Sequence, residues 1–324
     1  MRRCSDRCST HGTGPLVLGA HPRHRRGPAQ PRSPAEEPSV NATASDPKII
    51  DVIERRVSWR SYADRPVTGA VRAELESTID SPPAGPCGSS VRLALIEASA
   101  AQRKTAKLGT YGVVKGAPLF MAGVVGETSH GLEDFGYVFQ WAVLGATELG
   151  LGTCWLGGTF KRESFGRALG AGEDEVVPAV SPVGYPRRRR TAVDRVFRWA
   201  AGSKKRKPWS ELFFDEAQQP LSPAAAAPFE KVLDMVRLGP SASNKQPWRV
   251  VRAGDDFHLY LLRSPGYRRR FGVDLQRIDM GIAMCHFERS AQALGLAGGW
   301  GDRATGVGTA PEGWRYVASW AASA

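Results

Sequence analysis

The chain has 324 residues, 42% of them hydrophobic, and a formal net charge of +12, enough material for one large domain or two of ordinary size around a buried core. No apolar run approaches the roughly 18 to 20 residues that cross a bilayer, and five scattered cysteines, Cys4, Cys8, Cys87, Cys154 and Cys285, are too few for a disulfide framework. A soluble, cytoplasmic protein with no membrane partner is therefore expected.

The positive charge is confined. Residues 1–45 carry seven arginines against three acids, and residues 186–207 carry ten lysines and arginines against Asp194, so the remainder is near neutral. No basic stripe is interleaved with stacking aromatics, which argues against a nucleic-acid partner. Cys4 and Cys8 with His11 lack a second ligand pair for a metal site. Residues 1–46 are rich in Pro and Arg without apolar periodicity and read as a disordered basic tail.

From Lys48 the pattern I-I-D-V-I-E-R-R-V begins an amphipathic helix, and a second is predicted over 68–80 with Thr68 at its N-cap. The apolar runs 91–97 and 118–125 read as strands. Residues 133–149 form a helix whose Phe135, Val138, Phe139, Ala142, Ala146 and Leu149 share a face, and a strand follows near 176–184 before the basic arm. The second half predicts a helix over 226–238, a loop, strands at 248–252 and 257–262, a helix near 279–294, and a strand at 314–320.

That order repeats the first half. Asp134, Gly136, Leu149-Gly150-Leu151 and Trp155 match Asp279, Gly281, Leu294-Gly295-Leu296 and Trp300, each displaced by 145 residues. Upstream, P-P-A-G-P-C-G-S-S at 82–90 aligns with G-P-S-A-S-N-K-Q-P at 239–247 at an offset of 157, Pro83 onto Pro240, the difference being an insertion near residues 101–112. Two tandem copies of one unit follow, spanning 47–213 and a shorter 214–324, and such copies pack as a pseudo-symmetric pair.

The common catalytic signatures are missing, including H-E-x-x-H, G-x-x-x-x-G-K-[ST], G-x-S-x-G and C-x-x-C. Half of the six histidines lie in the tail, so a bound cofactor is the expected source of any reactivity. Three elements stand out. Arg56-Val57-Ser58-Trp59-Arg60 places two guanidinium groups and a hydroxyl at alternating positions, a set able to grip a phosphate; a solvated helix end is the plainer alternative. Lys204-Lys205-Arg206-Lys207 is a charged loop by itself. The loop Ser241-Ala242-Ser243-Asn244-Lys245-Gln246 offers donors and acceptors suited to a heteroaromatic edge, or else a capped tight turn.

Together, R-x-S-x-R, P-S-A-S-N-x-Q-P-W, G-L-G-T-C-W-L-G-G at 150–158 and K-x-R resemble the nitroreductase family of FMN-dependent oxidoreductases over residues 48–320. The resemblance implies an α+β fold: a mixed, mainly antiparallel sheet per copy, flanked by helices, with a large helical interface between copies. It implies that Arg56, Ser58, Arg60, Lys204 and Arg206 grip the FMN phosphate. Pro240, Ser241, Ala242, Ser243 and Asn244, with Gln246 nearby, would line the isoalloxazine and ribityl side, and Leu156, Gly157 and Gly158 would face flavin N5. Arg103 or Lys104 could serve the pyrimidine edge, while Trp248 and Cys154 are read as core.

The first copy has lost the Asn and Gln of the loop, and the second has lost the arginines and the arm. One composite site per chain survives, as in the fused, single-chain branch of the family, so a monomer with an internal pseudo-dimer is expected. The implied activity is a ping-pong cycle in which NAD(P)H reduces the flavin at N5 and a small-molecule nitroaromatic or quinone-like acceptor reoxidises it. The rival is an inert flavin-binding or sensor protein of the same fold.

Overall fold

The computed structural model describes residues 48–98, 114–187, 205–265, 272–303 and 310–323. The basic tail over 1–46, Arg103, Lys104 and Lys204 lie outside the described residues.

Helix α1, Lys48–Arg55, buries Ile49, Val52 and Ile53, the set its periodicity selects. Helix α2 spans Gly69–Asp80; Thr68 stands at its N-cap, but its side chain makes no capping bond where the chain enters through Gly69 at φ 62°. Strand β1, Val91–Glu97, pairs antiparallel with β2, Leu119–Gly126. The strand expected over 176–184 is broken into β4, Glu175–Val176, and β5, Val180–Gly184, with Pro178, which has no N–H for a ladder, between them. With β3, Gly152–Thr153, the first sheet runs β1-β2-β5-β3, and β4 pairs β2. Helix α3, Gly131–Glu148, packs on one face. On the other, helix α4, Arg162–Leu169, buries Phe165 and Leu169 against Phe120 and Phe160.

The second sheet runs β6-β7-β8-β10-β9: Phe213–Asp215, Trp248–Ala253, Asp256–Leu262, Trp314–Ala322 and Gly298–Gly301. Its β6·β7 pair is parallel and the others antiparallel, so the sheets together are mixed and mainly antiparallel. Helices α5, Glu230–Leu238, and α6, Leu275–Ala293, complete this half. Trp248 is fully buried and Cys154 lies in the core, as read from the sequence.

The repeat is visible where α3 crosses α6. A methyl on Gly136 would overlap the Ile278 carbonyl oxygen, and one on Gly281 would overlap the Glu133 carbonyl oxygen. Positions 133 and 278 are themselves separated by 145 residues, as are 136 and 281. The contact is therefore reciprocal, residue for residue, which is the mark of a two-fold arrangement. Only glycine lets the helix backbones approach so closely.

Polar groups cross the same seam. Arg277 pairs with the buried Glu133, and Arg315 reaches it at 3.2 Å. Tyr137 donates to Glu288 at 2.8 Å.

Candidate functional site

After α1 the chain becomes extended. Ser58 forms a parallel bridge with Thr153, and the Trp59 N–H donates to the Thr153 carbonyl at 2.8 Å. The Arg56-Ser58-Arg60 segment thus runs along β3, just before Trp155-Leu156-Gly157-Gly158. Leu156 is pinned to Val180 by backbone bonds of 2.9 and 3.0 Å, one in each direction. A Cβ on Gly157 would lie 2.6 Å from the Leu275 side chain, so this segment meets the start of α6 in the other copy. The N–H groups of Gly157 and Gly158 donate to no acceptor among the described residues.

Arg56 is only 8% exposed, and its Nε has no hydrogen-bond partner. Burial pushes its guanidinium down to about 10, and the nearby charge of Arg206 pushes the same way. Arg206 is itself lowered, first by burial and then by Arg237. Among the ion pairs of the described residues, none joins a carboxylate to either arginine. Arg206 Nη1 donates to Asn244 Oδ1 at 2.7 Å and Nη2 to the Leu238 carbonyl at 2.9 Å. One guanidinium therefore stands between the first copy's arginine and the second copy's loop.

In the loop, Pro240, Ser241 and Ala242 are partly exposed and Ser243 is exposed. Ser243, Asn244 and Gln246 adopt positive φ of 50°, 54° and 47°, left-handed conformations that cost free energy outside glycine. The two side-chain amides do something the sequence did not reveal. Asn244 Nδ2 donates to the Lys205 carbonyl at 2.7 Å, and the Lys207 N–H donates to Gln246 Oε1 at 2.9 Å. They strap the basic arm to the loop.

Beneath lies a chain of hydrogen bonds that sequence reasoning missed. His286 is buried against the Met235 carbonyl, 2.8 Å from Nδ1, and Gln140 Nε2, 2.9 Å from Nε2. A carbonyl can only accept, so Nδ1 carries the proton and Gln140 Nε2 donates to His286 Nε2. Gln140 Oε1 in turn accepts the Trp155 indole N–H at 2.9 Å. Burial lowers the His286 pKa to about 3; the Met235 bond opposes this, and the charges of Arg56 and Arg206 add to it. Nothing at a spacing of 146 residues signals such a pair.

The donor set fits a phosphorylated flavin. Two guanidinium groups with no carboxylate partner among the described residues, one with an orphaned buried Nε, suit a phosphate, and the Gly157 and Gly158 N–H groups, with no Cβ between, suit close approach of a ring. Among the described residues no group of His, Cys, Asp and Glu is placed to hold a metal ion, and no helix is long and apolar enough to cross a membrane.

The fold is nitroreductase-like, two sheet-and-helix halves meeting on paired central helices. Over residues 48–291 the sequence matches the family model described as "Putative TM nitroreductase", and the chain belongs to that family. Its fold is similar to that of a "putative nitroreductase" of Thermotoga maritima, with a TM-score of 0.50 at 19% identity over 84% of this chain and 92% of that one. A nitroreductase family protein of Clostridium novyi matches at 22% identity, covering 45% of this chain and 90% of that one, with a TM-score of 0.36. A nitroreductase with bound FMN from Desulfitobacterium hafniense matches at 16% identity over 44% of this chain and 91% of that one, with a TM-score of 0.38. No curated protein matches the chain.

Proposed function

We propose that the protein is an FMN-dependent oxidoreductase with one composite flavin site, built from the arginine segment of residues 47–213 and the polar loop of residues 214–324. The reading is carried by Arg56 and Arg206, two partly or fully buried guanidinium groups with no carboxylate partner among the described residues, set against Asn244 of the other half. A cationic pair removed from water is costly unless an anion completes it. A flavin phosphate supplies that charge, with Ser58, Arg60 and Lys204 as further donors.

When bound, FMN supplies two-electron chemistry at N5, accepting from NAD(P)H and passing on to a nitroaromatic or quinone-like acceptor. The chain's own groups hold and orient. Leu156, fixed to Val180, presents the Gly157 and Gly158 N–H groups, and Pro240, Ser241, Ala242 and Ser243 form the opposite wall. Preorganised backbone donors of this kind stabilise developing negative charge without a side-chain acid or base. Neutral His286, below the arginines, adds no like charge to them.

An absorbance spectrum of the purified full chain, before and after NADH or NADPH, tests this. Bound yellow flavin that bleaches supports the oxidoreductase, and flavin that stays oxidised supports the inert binder. Replacing Arg56 and Arg206 together by Ala is expected to weaken FMN binding about 100-fold or more, since charge-assisted hydrogen bonds contribute roughly 1.5 to 3 kcal/mol each. Full flavin occupancy in that variant sinks the phosphate assignment.

A further inference from the structure

Asp134 and Asp279 are repeat mates, and each lies beneath the loop of its own copy. The first is satisfied: the Cys87 N–H donates to Oδ1 at 2.7 Å and the Ser89 N–H to Oδ2 at 2.8 Å. Gly85 lies over this carboxylate so closely that a Cβ there would be 2.5 Å from Cγ.

The loop offset of 157 carries Gly85, Cys87 and Ser89 onto Ala242, Asn244 and Gln246. In this copy it is the Ala242 N–H that donates to Asp279 Oδ1, at 2.9 Å. The other two amides have gone elsewhere: Asn244 N–H donates to the Ser241 carbonyl and Gln246 N–H to Ser241 Oγ, both at 2.9 Å. Asp279 Oδ2 is left buried with no partner, on a residue 3% exposed. The same rearranged residues are the ones in left-handed conformation. An orphaned carboxylate oxygen and local backbone strain both oppose the arrangement, so something must favour it. The Arg206–Asn244 bond is that contact, and it occupies a donor that a phosphate would need.

We propose that the loop has a second arrangement, in which the Asn244 and Gln246 N–H groups turn from Ser241 to the Asp279 carboxylate, as Cys87 N–H does to Oδ1 and Ser89 N–H to Oδ2 of Asp134. Asp279 is the positioning residue that holds the loop there once a phosphate draws Arg206 away from Asn244. The trigger rests on the flavin reading above; the two arrangements of the loop do not. In the first, Arg206 latches the loop and is itself occupied. In the second, the arginine is free for the anion, and the carboxylate gains the pair of donors that Asp134 already has.

The chain contains two asparagines, Asn41 and Asn244, so labelling the full protein with [15N]asparagine reads the loop through one of two backbone amide signals, assigned with Asn41→Gln. Adding FMN to the wild type is expected to move the Asn244 amide proton downfield, because a carboxylate is a stronger acceptor than a peptide carbonyl. Asp279→Asn preserves shape and the bond from Ala242 but offers an N–H in place of Oδ2, and the third asparagine signal it adds is identified by its absence from the wild type. It should leave the Asn244 signal at its ligand-free position and raise the FMN Kd about tenfold, the loss of roughly one good hydrogen bond. The same FMN-induced move in Asp279→Asn as in the wild type, with Kd within about twofold, overturns the proposal.

A second arm uses no flavin. Ser241→Ala removes the hydroxyl that competes for Gln246 N–H, and should move the Asn244 signal downfield in the free protein, a move that adding Asp279→Asn cancels. An Asn244 signal that stays in place in Ser241→Ala refutes the two arrangements. A wild type that binds no FMN refutes the functional reading alone, and this arm still decides the loop.

Discussion

Acidification to pH 5 should destabilise the protein through one identifiable side chain. His286 titrates near 6.5 when unfolded and at about 3 in the fold, because it is buried and already donates through Nδ1 to Met235 while accepting from Gln140. Its folded pKa is depressed, so the folded state binds the proton less readily than the unfolded chain. The stabilising contribution is complete above about pH 6.5 and is lost progressively as pH falls toward 3. Each unit in that window costs about 1.36 kcal/mol, so the step from pH 7 to pH 5 removes about 2 kcal/mol. His286→Gln retains an acceptor for Gln140 and a donor for Met235 but cannot titrate. Urea unfolding at both pH values, on wild type and variant, isolates the term, since every other group cancels in the difference. The wild type should lose about 2 kcal/mol more than the variant. Equal losses would show that His286 is protonated in the fold or exposed to water, and would refute the tautomer argued from Met235.

The copy–copy seam gives two further expectations. Gly281→Ala places a methyl on the Glu133 carbonyl and should cost about 3 kcal/mol in urea unfolding, as backbone atoms cannot yield as a side chain can; Gly136→Ala should match it because the contact is reciprocal, and the double variant should fall short of the sum, because helices already parted by one methyl accept the other. Glu133→Gln removes the buried carboxylate from Arg277, 16% exposed, with an expected loss of about 3 kcal/mol, while Arg315, 48% exposed, is screened by water and adds little. A cost below about 1 kcal/mol would mean that Arg277 is as well hydrated as Arg315.

What was legible in the sequence follows from range. Elements with a strong period, such as α2, β1 and α3, are legible nearly to their ends because apolar spacing is a local property. Helix α4 was not: only Phe165 and Leu169 of its eight residues are buried, too little periodicity to register. Strands β3 and β9, of two and four residues and rich in glycine, carry no propensity signal and exist only through pairing with β5 and β10. The repeat exposed Gly136, Gly281, Asp134 and Asp279 by their spacing, but what each does depends on a helix or loop far along the chain. The same holds for Asn244 and Gln246. Their polarity marked the loop as functional, and their use in strapping residues 205–207 required knowing that the arm returns to it.

Covalent fusion explains how the halves could diverge. In a homodimer every position on the two-fold seam is present twice with the same side chain; here the mates at 133 and 278 are Glu133 and Ile278, and those at 132 and 277 are Leu132 and Arg277. Only one side of the seam consequently holds the ion triad of Arg277 and Arg315 on Glu133, since the mates of Glu133 and Arg277 are apolar. Both arginines of the triad already share a buried carboxylate, so a phosphate arriving there would compete with Glu133. Among the described residues no carboxylate pairs with Arg56 or Arg206. The electrostatics therefore separate a side on which the protein supplies a buried carboxylate of its own from a side where, among the described residues, no carboxylate pairs with the arginines.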